Sequence, residues 1–162
     1  LFRSEKYRAV VNSHDYLLPW LSWAHYYEKD GLATMKKFQE NKAKEFKDGV
    51  SYAYDIFYDG KFAGSIDLKH YLITSDIYEI GYWLDKDMSG KGIMTAAANK
   101  VTELAFDKLK QHRVVIRAAS DNKASRAVAE RCGYAFEGEL RDAMILEGEY
   151  HNEVIYAKIN ER

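Results

Sequence analysis

The stretch that most restricts the fold runs from residue 77 to residue 110. Ile77 to Leu84 is rich in β-branched and aromatic side chains and reads as a strand. Shortly beyond it, Gly90-Lys91-Gly92-Ile93 opens a long helix expected over Gly90 to Lys110, with Ile93, Ala97, Val101, Leu104 and Phe106 as its apolar contacts. A helix start of this kind presents free backbone N–H groups and the positive end of the helix dipole. Glycines there remove the Cβ atoms that would hold an anion away. The turn from Ser89 to Ile93 is therefore a candidate pyrophosphate cradle, although by itself it reads equally as a plain strand-to-helix turn. Spacing removes two nucleotide sites. A P-loop needs G-x-x-x-x-G-K-[ST], but Asp85 precedes Gly90-Lys91 and Gly92 follows it, and a dinucleotide fingerprint needs a third glycine where Thr95 stands.

The surrounding pattern sets the class. Leu1 to Asn12 suits a short helix, interrupted by His14-Asp15 and Pro19; an aromatic cluster of Trp20, Trp23, Tyr26 and Tyr27 follows, then a second helix from Leu32 to Phe46. Ser51 to Tyr58 and Lys61 to Lys69 read as an antiparallel pair joined at Asp59-Gly60. Arg113 to Ala118 is strand-like, Asn122 to Cys132 is helical and stopped by Gly133, and the tail alternates strand segments around Gly138 and Gly148. Helices, a hairpin and then β-α-β-α-β-β give an α+β or mixed α/β sheet. With no repeat and no linker, the expected organisation is one domain over residues 1–162.

Composition excludes several roles. The chain is 47% hydrophobic and 30% charged, without an apolar run near the ~18 residues that cross a bilayer or a basic-then-apolar leader, so a soluble cytoplasmic protein is expected. Its single cysteine, Cys132, forbids an intrachain disulfide and a cysteine-rich metal site, and His14, His25, His70, His112 and His151 show no ligand pairing; no metal is expected. A net charge of -1 argues against nonspecific nucleic-acid binding. Thirteen tyrosines and three tryptophans suit a cleft, or the interface of a homodimer or higher oligomer, as well as a core.

As one ordered string, Ile80-Gly81-Tyr82-Trp83-Leu84, Gly90-Lys91-Gly92-Ile93-Met94-Thr95-Ala96-Ala97, Ala105-Phe106, Arg113-Val114, Asn122-x-x-Ser125-x-x-Val128-x-Glu130-x-x-Gly133-Tyr134, Glu137-Gly138-x-Leu140-Arg141 and Gly148 resemble the GNAT N-acetyltransferases. They look specifically like the branch that acetylates the N-terminal serine or alanine of ribosomal proteins. The likeness covers Ser51 to Ile159, and more weakly Leu18-Pro19-Trp20-Leu21-x-Trp23. It implies a mostly antiparallel sheet flanked by helices and splayed at the cofactor strand, with acetyl-CoA as co-substrate. Tyr82, Trp83 and Leu84 would pair with the pantetheine arm like an added strand. Ser89, Gly90, Lys91, Gly92, Ile93, Met94 and Thr95 would take the pyrophosphate, and Asn122 would hold the arm. The bland reading of Asn122 and Ser125 is a helix N-cap with its companion.

The resemblance also suggests catalytic roles. An ammonium has no lone pair, so the acceptor amine must lose a proton. Glu79, on the same strand face as Gly81, is the first candidate base; His151 is the second, and an exposed strand glutamate is the plain alternative. Ser125 is the candidate acid for the departing thiolate. Trp20, Trp23 and His151 are candidate acceptor-binding residues. Three departures stand out: Asp87 replaces the Gln or Arg often found ahead of the first glycine, Asn152 follows His151 where an Asp is common, and the strand that normally precedes the first helix is not seen. The acceptor expected is a protein N-terminal amine. A small-molecule amine such as an antibiotic or polyamine, or a non-catalytic acyl-CoA-binding regulator, are the alternatives.

Overall fold

The computed structural model describes residues 2–71 and 77–161, with side chains described throughout except at 2–4, 25–30 and 32. The elements are helices α1 (Phe2–Asn12), α2 (His14–Leu17) and α3 (Tyr26–Lys47), strands β1 (Ser51–Tyr58), β2 (Lys61–His70) and β3 (Ile77–Leu84), helix α4 (Ile93–Asp107), strand β4 (Arg113–Ala119), helix α5 (Lys123–Arg131), and strands β5 (Ala135–Leu146) and β6 (Glu149–Ile159). The strands form a six-stranded sheet in the order β1-β2-β3-β4-β6-β5. β3 and β4 run parallel, and β4 and β5 are each antiparallel to β6. The two-residue turn Asp59-Gly60, both residues at positive φ, makes β1 and β2 antiparallel. No helix among the described residues is long and apolar enough to cross a membrane.

The chain separates into two compact units, Leu1–Asp67 with Tyr82–Ile93, and Leu68–Gly81 with Met94–Arg162. In the first, Val10 and Met35 form a buried cluster with Tyr7, Trp23 and Trp83 packed on it. The expected second helix is found, but the aromatic run before it is helical as well. A 3-10 turn over Ser22–His25 leads into α3, which kinks at Gly31 (φ 48, ψ -121) just before Leu32. Side-chain bonds then tie the end of α1 to the loop after β3. The Ser13 hydroxyl accepts from the Lys86 amide at 2.9 Å and donates to Asp85 at 3.2 Å, while Asn12 donates to Asp85 and Asp87. Ser13 is fully buried, so this junction is a fixed part of the unit.

One glycine of β2 sets how closely that strand meets β3. A methyl at Gly64 would overlap the carbonyl oxygen of Trp83 and lie 2.9 Å from the Leu84 Cα. Both obstacles are backbone, which cannot rotate aside. Gly64→Ala is expected to destabilise the protein by about 1–3 kcal/mol, as overpacking does, and a denaturant midpoint equal to wild type would refute that close approach.

In the second unit the sheet has two distinct faces. Tyr78, Ile80, Val114, Ile116, Val154 and Tyr156 are buried on one. On that side the Tyr156 hydroxyl bonds Glu130 and accepts from Arg126 of α5, and Tyr134 bonds Thr102 of α4 at 2.6 Å. The alternate residues, Ile77, Glu79, Arg113, Val115, Arg117, Glu153 and Ile155, share the other face. The parallel ladder pairs Ile77 with Arg113, Tyr78 with Val114 and Glu79 with Val115, and stops there. Ile80 and Gly81 continue β3 without β4 partners, whereas Ile116 to Ala119 pair with β6. The sheet therefore opens immediately after Glu79, as the resemblance implied.

Element boundaries differ from the expectation in two places. Helix α4 starts at Ile93 rather than Gly90, because Gly90 and Gly92 hold φ 77 and 74, outside helical space; it ends at Asp107 rather than Lys110, which itself has φ 55. Gly138 does not break the tail. It lies inside the twelve-residue strand β5, where a register shift between Phe136 and Gly138 absorbs one residue as a bulge, while Glu147-Gly148 forms the turn to β6.

Candidate active site

The cradle residues Ser89 to Ile93 lie in the first unit, and Met94 and Thr95 open the second. Asp85 caps the 3-10 turn Lys86–Met88 by accepting from the Asp87 amide, and Ser89 leaves it in extended conformation. Gly90 and Gly92 then turn the chain through left-handed space into α4. A Cβ at either would meet no heavy atom within 4 Å, so the surface over this turn is open. Among the described residues, the amides of Gly90, Lys91 and Gly92 donate no backbone hydrogen bond. The first amides of α4 have no intrahelical acceptor by the geometry of any helix. A row of N–H groups at the positive end of a fifteen-residue helix is suited to hold an anion. The Lys91 ammonium lies over the Tyr58 ring at 5.8 Å and near the Met88 sulfur, at the edge of the turn.

The same unit brings together residues that the sequence placed far apart. Trp23 packs edge-on against Trp83 at 5.7 Å, and Trp83 in turn meets Phe62 at 5.7 Å. Tyr16 reaches Ser89 hydroxyl to hydroxyl at 3.4 Å. Trp23 thus buttresses the strand expected to pair with a pantetheine arm. Trp20, half-buried, joins the chain turn after α2 through its amide, which donates to Leu17.

In the second unit, Glu79 occupies the last paired rung before the sheet opens. Its residue is only 8% exposed and Glu153 only 5%, so neither carboxylate can rely on water. Arg117 serves both. Its Nε and Nη2 donate to Glu79 at 3.3 and 3.0 Å, its Nη1 reaches Glu153 at 3.1 Å, and the Tyr71 ring lies 5.2 Å from the guanidinium carbon. Lys69 adds a second cation to Glu79 at 3.5 Å. Burial works against the charge on Arg117, but Glu79 and Glu153 outweigh it and hold the guanidinium above its ordinary value. His151 stands on β6 two positions before Glu153, on the same face, opposite Met144 of β5. Both candidate bases therefore share one side of the sheet.

Asn122 is the N-cap of α5; its side-chain oxygen accepts from the Ser125 amide at 3.0 Å. The cap uses the carbonyl oxygen, which leaves the amide NH2 end of the side chain for other work. Thr95, in the first turn of α4, is held by α5: its hydroxyl accepts from Arg131 at 3.1 Å and its carbonyl from the Cys132 thiol at 3.5 Å. Cys132 is buried, and burial pushes its thiol above the usual range, which suits packing rather than nucleophilic work. Among the described residues, no three His, Cys, Asp or Glu side chains are placed to hold a metal ion.

A profile of the acetyltransferase (GNAT) domain matches residues 3–135. The chain belongs to the GNAT acetyltransferase family. It is similar to YdaF of Bacillus subtilis, classed by name among ribosomal N-acetyltransferases, with 43% identity over 63% of this chain and 56% of that one. The match thus spans just over half of that relative's length. Two solved structures share the fold. RimL, a ribosomal L7/L12 alpha-N-protein acetyltransferase in complex with coenzyme A, superposes with TM-score 0.88 at 28% identity, covering 94% of this chain and 85% of that one. MccE, a microcin C7 self-immunity acetyltransferase in complex with acetyl-CoA and AMP, superposes with TM-score 0.89 at 28% identity, covering 98% and 87%.

Reading this GNAT chain by residue pattern alone missed Arg117, Glu153 and the task of Asn152. The first two carry a faint signal, since Arg113, Val115 and Arg117 alternate along an otherwise apolar strand. A charge so placed needs a partner across the strand. Asn152 answers the departure noted above. Its side-chain oxygen accepts from the Asp142 amide at 3.1 Å and its NH2 donates to Glu139 at 2.8 Å. An aspartate offers no donor, so asparagine suits the bulged turn of β5, where Asp142 holds φ 50.

Proposed function

We propose that this GNAT enzyme transfers the acetyl group of acetyl-CoA to the N-terminal α-amine of a protein, with a ribosomal protein as the first acceptor to test. The observation that carries the donor side is the open row of amides at Gly90 to Gly92 leading into α4, a fit for a pyrophosphate. Acetyl-CoA supplies an activated thioester carbonyl for the amine to attack. In this reading Tyr82, Trp83 and Leu84 offer the strand edge, Asn122 holds the arm, Glu79 receives the amine proton directly or through water, and Ser125 bonds the departing sulfur. An α-amine with pKa about 7.7–8.0 is partly neutral near pH 7, whereas lysine at about 10.4 must be actively deprotonated. Glu79, already engaged by Arg117 and Lys69, suits the lighter duty.

The similarity to YdaF and RimL supports the protein acceptor. Similarity to a spermidine N(1)-acetyltransferase of Escherichia coli, 22% identical over 68% of this chain and 60% of that one, supports a small-molecule amine as the second reading. The same proposal makes residues 1–162 one catalytic domain working in the cytoplasm, as a monomer or a homo-oligomer. Incubation with cell extract and isotopically labelled acetyl-CoA, followed by mass spectrometry, tests it: label on protein N-termini is expected. Label only on small amines would select the second reading, and tight cofactor binding with no transfer would make the chain a regulator.

The turn carries its own prediction. Gly92→Val forces a β-branched residue into left-handed space, a cost of about 1–2 kcal/mol, and adds bulk over the amides. Calorimetry is expected to show acetyl-CoA binding weakened about ten-fold or more, with desulfo-CoA weakened alike. Unchanged affinity would remove this turn from the cofactor site.

A further inference from the structure

On the open face of the second unit lies a cavity of about 280 Å³ with no assigned role. Its apolar wall is made by Ile77, Val115, Leu140 and Ile155 from four neighbouring strands, and Tyr71 closes one side. The charges at its rim are already engaged. Arg113 and Glu137 form a two-pronged ion pair, which holds the Glu137 carboxyl below its usual range, and Glu139 accepts from Asn152. That volume is at the lower edge of the pockets of about 300–1,000 Å³ that hold drug-sized ligands, and with four aliphatic wall residues and its rim charges already paired the space suits a large apolar side chain better than a charged one.

Its position relative to Glu79 names the owner of that side chain. Val115 is the registered partner of Glu79, Ile77 lies two residues before it, and Tyr71 stacks on the guanidinium that binds it. Two strand residues span about 6.6 Å, which is the reach from an amine to the side chain of the next residue in an extended peptide. Resting on the protein N-terminus reading above, we propose that this cavity receives the side chain of the second residue of the acceptor and selects an apolar one there.

The structure offers a clean way to fill the space. Gly138 lines the cavity and pairs with Ile155, so a side chain at 138 would project to the same face. Its φ is not left-handed, and a Cβ would meet no heavy atom within 4 Å, so a larger residue is tolerated. The experiment compares kcat/KM for peptides that begin with serine and differ only in the second residue, leucine, phenylalanine, glycine or lysine, with wild type, Gly138→Leu and Leu140→Ala. Wild type is expected to favour leucine over glycine and lysine about ten-fold, the value of a well-filled apolar pocket. Gly138→Leu is expected to bring the leucine-to-glycine ratio near one, and Leu140→Ala to shift preference toward phenylalanine in that position. Equal kcat/KM for all peptides in wild type, or a ratio unaltered by Gly138→Leu, would overturn the subsite while leaving the N-terminal acceptor standing. Acetylation of a polyamine but of no peptide would instead overturn the acceptor reading, and the subsite with it.

Discussion

Glu79→Gln is expected to lower kcat about 10²–10⁴-fold, the usual contribution of a positioned base, while the affinity for acetyl-CoA stays close to wild type. The substitution preserves shape and keeps an oxygen that Arg117 can donate to, so the ion network loses one charge rather than its geometry. The loss should be largest at low pH, where the acceptor amine is protonated, and should shrink as pH rises past the α-amine range of about 7.7–8.0. A mere strand glutamate would give no such pH dependence. Undiminished turnover across that range would transfer the role to His151 or to water alone.

The second large effect belongs to Arg117. Removing its guanidinium leaves two nearly buried carboxylates, Glu79 and Glu153, facing each other across β4 without the group that joins them. Breaking a buried pair in this way costs about 3–5 kcal/mol, and the low end applies because a third of the Arg117 side chain is exposed. Arg117→Ala should therefore lower the denaturant midpoint, and Glu153→Gln in the same background should recover part of the loss by deleting one orphaned charge. Arg117→Lys should keep some stability but not the full effect, since an ammonium cannot bridge two carboxylates through a planar fork. A midpoint for Arg117→Ala equal to wild type would show that water reaches this network and supports it.

What could be read from residue order follows from what is local. The hairpin at Asp59-Gly60, the strand at Ile77 and the glycine turn before α4 are all short-range patterns, and each was placed within a few residues. The opening of the sheet after Glu79 came through the family resemblance, not through periodicity. The helical path of the aromatic run at Ser22 to Lys47 was only half legible. Gly31, with its positive φ, lets one helix succeed another without a loop, so the polar run Glu28-Lys29-Asp30 ahead of it reads as a break that the backbone does not make.

The site was legible where one segment makes it and obscure where several do. Ser89 to Thr95 is contiguous, so the glycine turn proposed to take the pyrophosphate could be picked out from the sequence. Arg117 lies 38 positions from Glu79 and 36 from Glu153, and only the registers of β3, β4 and β6 bring the three together. Gly64 was unremarkable in the sequence, because its need arises from the backbone of Trp83. The bulge at Glu137 was also hidden, yet it lies beside the cavity and puts Gly138 opposite Ile155.

Acetyl transfer to an α-amine has a direct test. A peptide with a free serine N-terminus and an internal lysine is incubated with the enzyme and acetyl-CoA, alongside the same peptide blocked at its α-nitrogen, and fragmentation mass spectrometry locates the product. Acetyl is expected on the α-nitrogen of the free peptide and none on the blocked one. Acetyl on the lysine of both, or on neither peptide while a small amine is modified, would contradict it.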